Sequence, residues 1–199
     1  MTRGPEPGTI LNESGEPTPP RLAATVVVLR GGAERLEVLM GQRTPKARFM
    51  GGAWVFPGGS VDGDEDLRAT AVREVEEEVQ ITLPDPSALV PFARWITPPE
   101  VSIRFDTYFF LAVAPEGAEA IPDGQEIVDA RWFEPNRALE GSQDGELLMV
   151  FPTIKNLEVL ARFDTADALL AWASTHEVRP VQPRVEGQGE AARIVLDDQ

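Results

Sequence analysis

The sequence predicts an α+β domain, a mixed sheet with helices packed on it. Three observations lead there. Short apolar, β-branched segments bounded by Gly and Pro recur along the chain and read as strands. One strong helical pattern lies in the first half, and two more lie close together near the end. These elements mix without the regular βαβ rhythm of a parallel sheet.

The elements follow in order. Residues 1 to about 20 carry Pro5, Pro7, Pro17, Pro19 and Pro20 with few apolar residues, and read as a mobile leader. Ala23 to Leu29 is a buried strand ended by Gly31-Gly32, and Leu36 to Met40 is its hairpin partner. Trp54-Val55-Phe56 is a short strand stopped by a tight loop at Pro57-Gly58-Gly59. Residues 66–79 form the clearest helix. Strands are expected near 89–96, 104–114 and 127–133. Helices follow at about 151–162 and 165–175, the second with Asp164 as its N-cap. The domain is thus expected over 21–176. Residues 177–199 read as an irregular tail with a short strand at Ala192 to Leu196.

Composition excludes several chemistries. The chain of 199 residues is 42% hydrophobic and 26% charged, enough apolar material for one real core. It has no cysteine, so thiolate catalysis, disulfides and cysteine-bound zinc are out. The single histidine, His176, is most simply a solvated residue at a helix end, which leaves little for a histidine zinc site or a serine triad. No apolar run is long enough to span a membrane, and no apolar signal segment opens the chain, so it reads as cytoplasmic. A net charge of −15 speaks against nucleic-acid partners but not against anionic small molecules, because a bound metal inverts the local field. A homodimer is compatible with these features.

The helix carries the chemistry. In Arg73-Glu74-Val75-Glu76-Glu77-Glu78-Val79 the acids Glu74, Glu77 and Glu78 stand at i, i+3 and i+4, on one face, while Glu76 points away. Val72, Val75 and Val79 make an apolar stripe beside them. Two charges ~5 Å apart repel by roughly 3 kcal/mol at an effective dielectric of about 20. On a solvated helix the penalty is only about 0.2–0.5 kcal/mol per pair. The face is therefore either solvated or holds a cation. Arg73 reaches Glu77 at i+4 but cannot neutralise three acids. Oxygen ligands with no His or Cys suit Mg²⁺ or Mn²⁺.

The full string is Gly59-x5-Glu65-x7-Arg73-Glu74-Val75-x-Glu77-Glu78-x-Gln80-Ile81. It resembles the signature of the Nudix hydrolases, Gly-x5-Glu-x7-Arg-Glu-U-x-Glu-Glu-x-Gly-U with U aliphatic, and departs from it only at Gln80. The resemblance implies an α/β/α sandwich with a loop–helix–loop site. It implies Glu74 and Glu78 as principal metal ligands, Glu77 as a third or water-mediated one, and a contribution from the Gly58 carbonyl. Arg73 and Glu65 would hold loop and helix together. The base would be a glutamate of this motif, such as Glu77, or one in a later loop. Glu126, beside Asp123 and Gly124, is the later-loop candidate and otherwise a solvated loop acid; Glu100 is a weaker one. Gln80 stands at a helix C-terminus, where glycine adopts a left-handed conformation at little cost and Gln pays about 1 kcal/mol.

Upstream, Arg43-Thr44-x3-Arg48-x3-Gly52-x3-Phe56-Pro57-Gly58-Gly59 is similar to the extra motif of the coenzyme A diphosphatase branch, with Ala47 and Trp54 replacing its aliphatic residues. Phe49 to Gly59, Arg94 to Pro99 and Arg104 to Phe110 resemble the peroxisomal-type members, without their usual insertion between glycine loop and helix. The implied reaction splits coenzyme A or an acyl-CoA into 3′,5′-ADP and 4′-phosphopantetheine or its acyl form. Arg43, Arg48 and Arg104 are candidate phosphate ligands, or else surface ion-pair partners. Trp54, Trp95 and Phe105 either stack on the adenine, line the substrate channel or pack the core. The rival substrates are ADP-ribose, dinucleotides and nucleoside triphosphates; the rival class is a nucleotide-binding module that has lost catalysis.

Overall fold

The computed structural model describes residues 12, 16–47, 50–186 and 193–196. Its centre is a sheet of eight strands: β1 (Arg21–Arg30), β2 (Glu37–Arg43), β3 (Trp54–Val55), β4 (Gly58–Ser60), β5 (Val90–Ile96), β6 (Phe105–Val113), β7 (Ile127–Phe133) and β8 (Pro180–Val181). The order β3-β2-β1-β6-β5-β8 forms the spine, with β4 on β1 and β7 on β2. β1 and β6 run parallel, while β1–β2 and β5–β6 are antiparallel, so the sheet is mixed.

Strand β1 shows why the chain folds in layers. Alternate side chains of a strand point to opposite faces. Ala24, Val26 and Val28 join Ala71, Val75 and Val79 of helix α1 (Leu67–Val79) in one apolar cluster. Val27 and Leu29 join Ala138, Leu157, Leu160 and Leu169 in the other. Those residues come from α2 (Pro135–Gln143), α3 (Phe151–Leu160) and α4 (Ala166–Ala173). A strand buried on both faces must read as a continuous apolar run, and this one does.

The predicted strands and helices are present with small shifts at their ends. Four differences have physical reasons. Pro57-Gly58-Gly59 does not simply stop a strand: Gly58 to Ser60 form β4, with Gly59 opposite Ala24 of β1. Helix α4 is capped by Thr165, whose hydroxyl accepts from the Ala168 N–H at 3.2 Å, and not by Asp164. Helix α2 was not foreseen, because its sequence offers few apolar residues to mark a buried face. After residue 176, β8 extends the main sheet beside β5, and β9 (Arg184–Glu186) pairs with β10 (Arg193–Val195). Of the strand expected at Ala192 to Leu196, Ala192 lies outside the described residues. No helix among the described residues is long and apolar enough to cross a membrane.

Candidate active site

Helix α1 and strand β4 meet at the glycine pair. Asp66 caps α1, its carboxylate accepting from the Arg68 N–H at 2.9 Å. The acidic face is divided more finely than the helix wheel suggests. Glu78 follows Ala71 and Val75 at the spacing of the buried face and is only 4% exposed. Its Oε2 accepts the Gly58 N–H at 2.9 Å. Burial, with Glu74 and Glu126 adding repulsion, pushes its pKa up to about 8, against the opposing pull of the Gly58 N–H and Arg43. Glu74, with 15% of its side chain exposed, sits flush against β4. A Cβ on Gly59 would stand 2.5 Å from its carboxylate, so any side chain there would push the Glu74 carboxylate out of this position. Burial raises the Glu74 pKa too; Arg73 opposes, and Glu77 and Glu126 reinforce it.

Arg73 ties the loop to the helix. One end of its guanidinium meets Glu65 at 3.1 Å, and the other meets Glu74 at 2.8 Å and Glu77 at 2.9 Å. Glu65 also accepts the Thr70 hydroxyl at 2.8 Å. Its donors, Arg73 first and Thr70 second, hold the Glu65 carboxyl below its ordinary value. Glu77 keeps 59% of its side chain exposed and faces Arg73. Glu76 points elsewhere, accepting from the Thr82 hydroxyl at 3.2 Å. Gln80 adopts the left-handed conformation itself, at φ 56° and ψ 30°.

The loop before β7 brings in Glu126. Asp123 organises it, its carboxylate accepting from the N–H groups of Gln125 at 3.1 Å, Glu126 at 3.0 Å and Ile127 at 2.8 Å. Burial alone would raise the Asp123 pKa, but these donors outweigh it and lower it. The Glu126 carbonyl accepts the Thr44 N–H at 2.7 Å, which seats the loop beside the end of β2. There Arg43 keeps a buried Nε with no hydrogen-bond partner. Arg43, Gly58, Gly59, Glu74 and Glu126 all line one cavity of about 460 Å³.

Other candidates lie elsewhere. Trp54 is 3% exposed and packs edge-on against Phe133 at 5.3 Å, in the core. The buried Arg104 donates to the carbonyls of Thr97 at 3.1 Å and Thr18 at 2.7 Å, which occupies it structurally. Arg48 lies outside the described residues. Trp95 and Phe105 do line the cavity, while Glu100 does not. Ring-stacked on Trp172 at 4.3 Å, His176 lies just past the end of α4 and does not line this cavity. Thr97, Thr107, Phe109 and Phe151 line the cavity and were not foreseen, since only the pairing of β5 with β6 and the packing of α3 on the sheet bring them together.

Among the described residues no three acidic or histidine side chains stand as a ready metal cage. The donor set nevertheless fits a hard divalent cation. Glu78 is buried and accepts one N–H, beside Glu74 and near Glu126, and two arginines, Arg43 and Arg73, face these three carboxylates.

The sequence profile of the NUDIX domain matches residues 19–151. The chain belongs to the Nudix family. Curated Nudix-type relatives differ in what their names state they act on. The "NAD-capped RNA hydrolase NudC" of Stutzerimonas stutzeri (strain A1501) is 31% identical over 57% of this chain and 37% of its own length. The "m7GpppN-mRNA hydrolase NUDT17" of Bos taurus is 28% identical over 54% of this chain and 41% of its own. The human "Acyl-coenzyme A diphosphatase NUDT19" is 34% identical over 40% of this chain and 22% of its own. This chain therefore spans less than half the length of the curated relatives it matches. A Nudix hydrolase crystal structure from Alicyclobacillus acidocaldarius superposes with a TM-score of 0.70, at 29% identity, over 80% of this chain and 99% of that one.

Proposed function

We propose that this Nudix domain hydrolyses the diphosphate bond of a nucleotide-like substrate, with coenzyme A or an acyl-CoA as the preferred one. The observation that carries the reading is the convergence of Glu74, exposed Glu126 and the unpartnered Arg43 Nε on one cavity, with buried Glu78 bonded to the N–H of Gly58 in its wall. Carboxylates alone would repel a diphosphate. A Mg²⁺ or Mn²⁺ bound there would neutralise the phosphate oxygens and lower the pKa of an attacking water. Glu74 and Glu78 are the residues to hold it, with Glu126 beside them and Glu77 at the exposed edge. Arg43 would donate to a phosphate oxygen through its free Nε–H. Glu126, exposed and anchored by the Asp123 loop, would accept the water proton on a carboxylate oxygen. Arg73 and Glu65 would fix the angle of Glu74.

The choice of coenzyme A rests on the Arg43-to-Gly59 motif, and the NUDT19 similarity supports it. The NAD-cap and mRNA-cap relatives keep other diphosphates in view. The test is incubation of the purified protein with coenzyme A, ADP-ribose or a dinucleotide plus Mg²⁺ or Mn²⁺, with products separated by chromatography. Release of 3′,5′-ADP and 4′-phosphopantetheine, abolished by EDTA, is expected. Cleavage of the other diphosphates with coenzyme A left intact would overturn the substrate. No cleavage of any would overturn the reaction and favour a binding module.

A further inference from the structure

The cavity continues well past the carboxylates. Strand register sets Ser60, Ala23, Thr107 and Trp95 side by side across β4, β1, β6 and β5, and Val181 of β8 extends the row. Three strand spacings put Trp95 about 14 Å from Ser60. The charged side chains on the described wall, Arg43, Asp62, Glu74 and Glu126, belong to the glycine-pair end. The rest of the lining includes Trp95, Phe105, Phe109, Phe151, Pro183 and Ile194, with threonine hydroxyls among its polar groups.

This end is firmly built. The Trp95 Nε1–H donates to Asn156 Oδ1 at 2.9 Å, and the ring meets Phe151 edge-on at 6.0 Å. Asn156 is itself buried, and its Nδ2 has no partner, so its one bond serves to hold the indole. Pro183 and Ile194 lie beyond residue 151, where the match to the family domain ends.

A purine seated here would find few side-chain partners besides threonine hydroxyls, so part of the hydrogen bonding of its ring nitrogens and amino group would go unmade. A polymethylene chain loses nothing there and gains about fourfold in affinity for each CH₂ buried. Building on the diphosphatase reading above, we infer that the Trp95 end takes the extended apolar chain of a fatty thioester, held at the end of the pantetheine arm that leads away from the diphosphate, rather than the nucleobase, and that Ile194 and Phe151 are specificity-determining residues for it.

The test compares kcat/KM for free coenzyme A, its butanoyl and octanoyl thioesters, and ADP-ribose, using the full chain with Mg²⁺. Wild type is expected to favour the octanoyl thioester over free coenzyme A by about tenfold or more. Ile194→Asp should lower that ratio by about tenfold, and the gentler Ile194→Ala by about threefold, in the same direction. A flat series in wild type with free coenzyme A cleaved overturns the inference and leaves the diphosphatase reading standing. An equal loss on every substrate, ADP-ribose included, assigns the chamber to the shared adenosine part and also overturns it. If wild type cleaves none of them, the diphosphatase reading itself falls.

Discussion

Arg73 contacts three carboxylates, Glu65, Glu74 and Glu77, and no lysine could do so, because an ammonium lacks the planar fork that reaches them together. Arg73→Lys keeps the charge and loses the geometry. Since Arg73 orients a proposed ligand, steady-state kinetics should show kcat down by about 10–100-fold, with KM changed much less. Gln80 makes a second residue-level case. It takes a left-handed conformation that costs a non-glycine residue about 1 kcal/mol, so Gln80→Gly should raise the unfolding free energy by about that amount in denaturant titrations. The glycine position was visible in the sequence as the one departure from the Nudix pattern. The burial of Glu78 was visible too, in its spacing from Ala71 and Val75, but the three acids were read as one face. Arg104 was not legible, because the Thr18 carbonyl that engages it lies 86 residues away in sequence.

At the scale of elements, the loop before β7 stands on Asp123. Its carboxylate has a lowered pKa in the fold, so the stability it contributes is present above the ordinary carboxylate range and is lost as pH falls through the lowered value. Asp123→Ala should cost about 1–3 kcal/mol near neutral pH, and the gap from wild type should shrink below pH ~4, as read by urea unfolding across pH. A gap that stays constant down to pH ~2 would assign the cost to something other than the carboxylate's charge. The same variant should lower kcat, because Glu126 is set by the loop that Asp123 organises. Helix α1 and the long strands were legible because periodicity and caps agree there. Helix α2 opens on Pro135, a helix-start signal, yet carries too thin an apolar stripe to be read. Strands β4, β8 and β9 are two or three residues long and exist through their partners, so no local pattern announces them, whereas β10 falls within the strand expected at Ala192 to Leu196.

The whole molecule joins two regions of opposite character in one cavity, a carboxylate end on α1 and an apolar end around Trp95. The acidic end was legible because charges at fixed spacing leave a signature in sequence. The apolar end was legible only as single residues, Trp95 and Phe105, since the row that unites them runs across four strands. Trp54 shows the limit from the other side: next to the glycine pair in sequence, it faces the core. A net charge of −15 makes the arrangement depend on a cation, because substrate phosphates and protein carboxylates otherwise repel. In the proposed reaction Glu78 holds that cation for diphosphate cleavage. The measurement that tests it most directly is turnover of coenzyme A by Glu78→Gln with Mg²⁺, alongside calorimetric binding of the same substrate. Turnover lower by more than about a hundredfold, in a folded protein that still binds coenzyme A, is the predicted result. Turnover within about threefold of wild type would contradict it, since the loss of a true metal ligand costs far more than that.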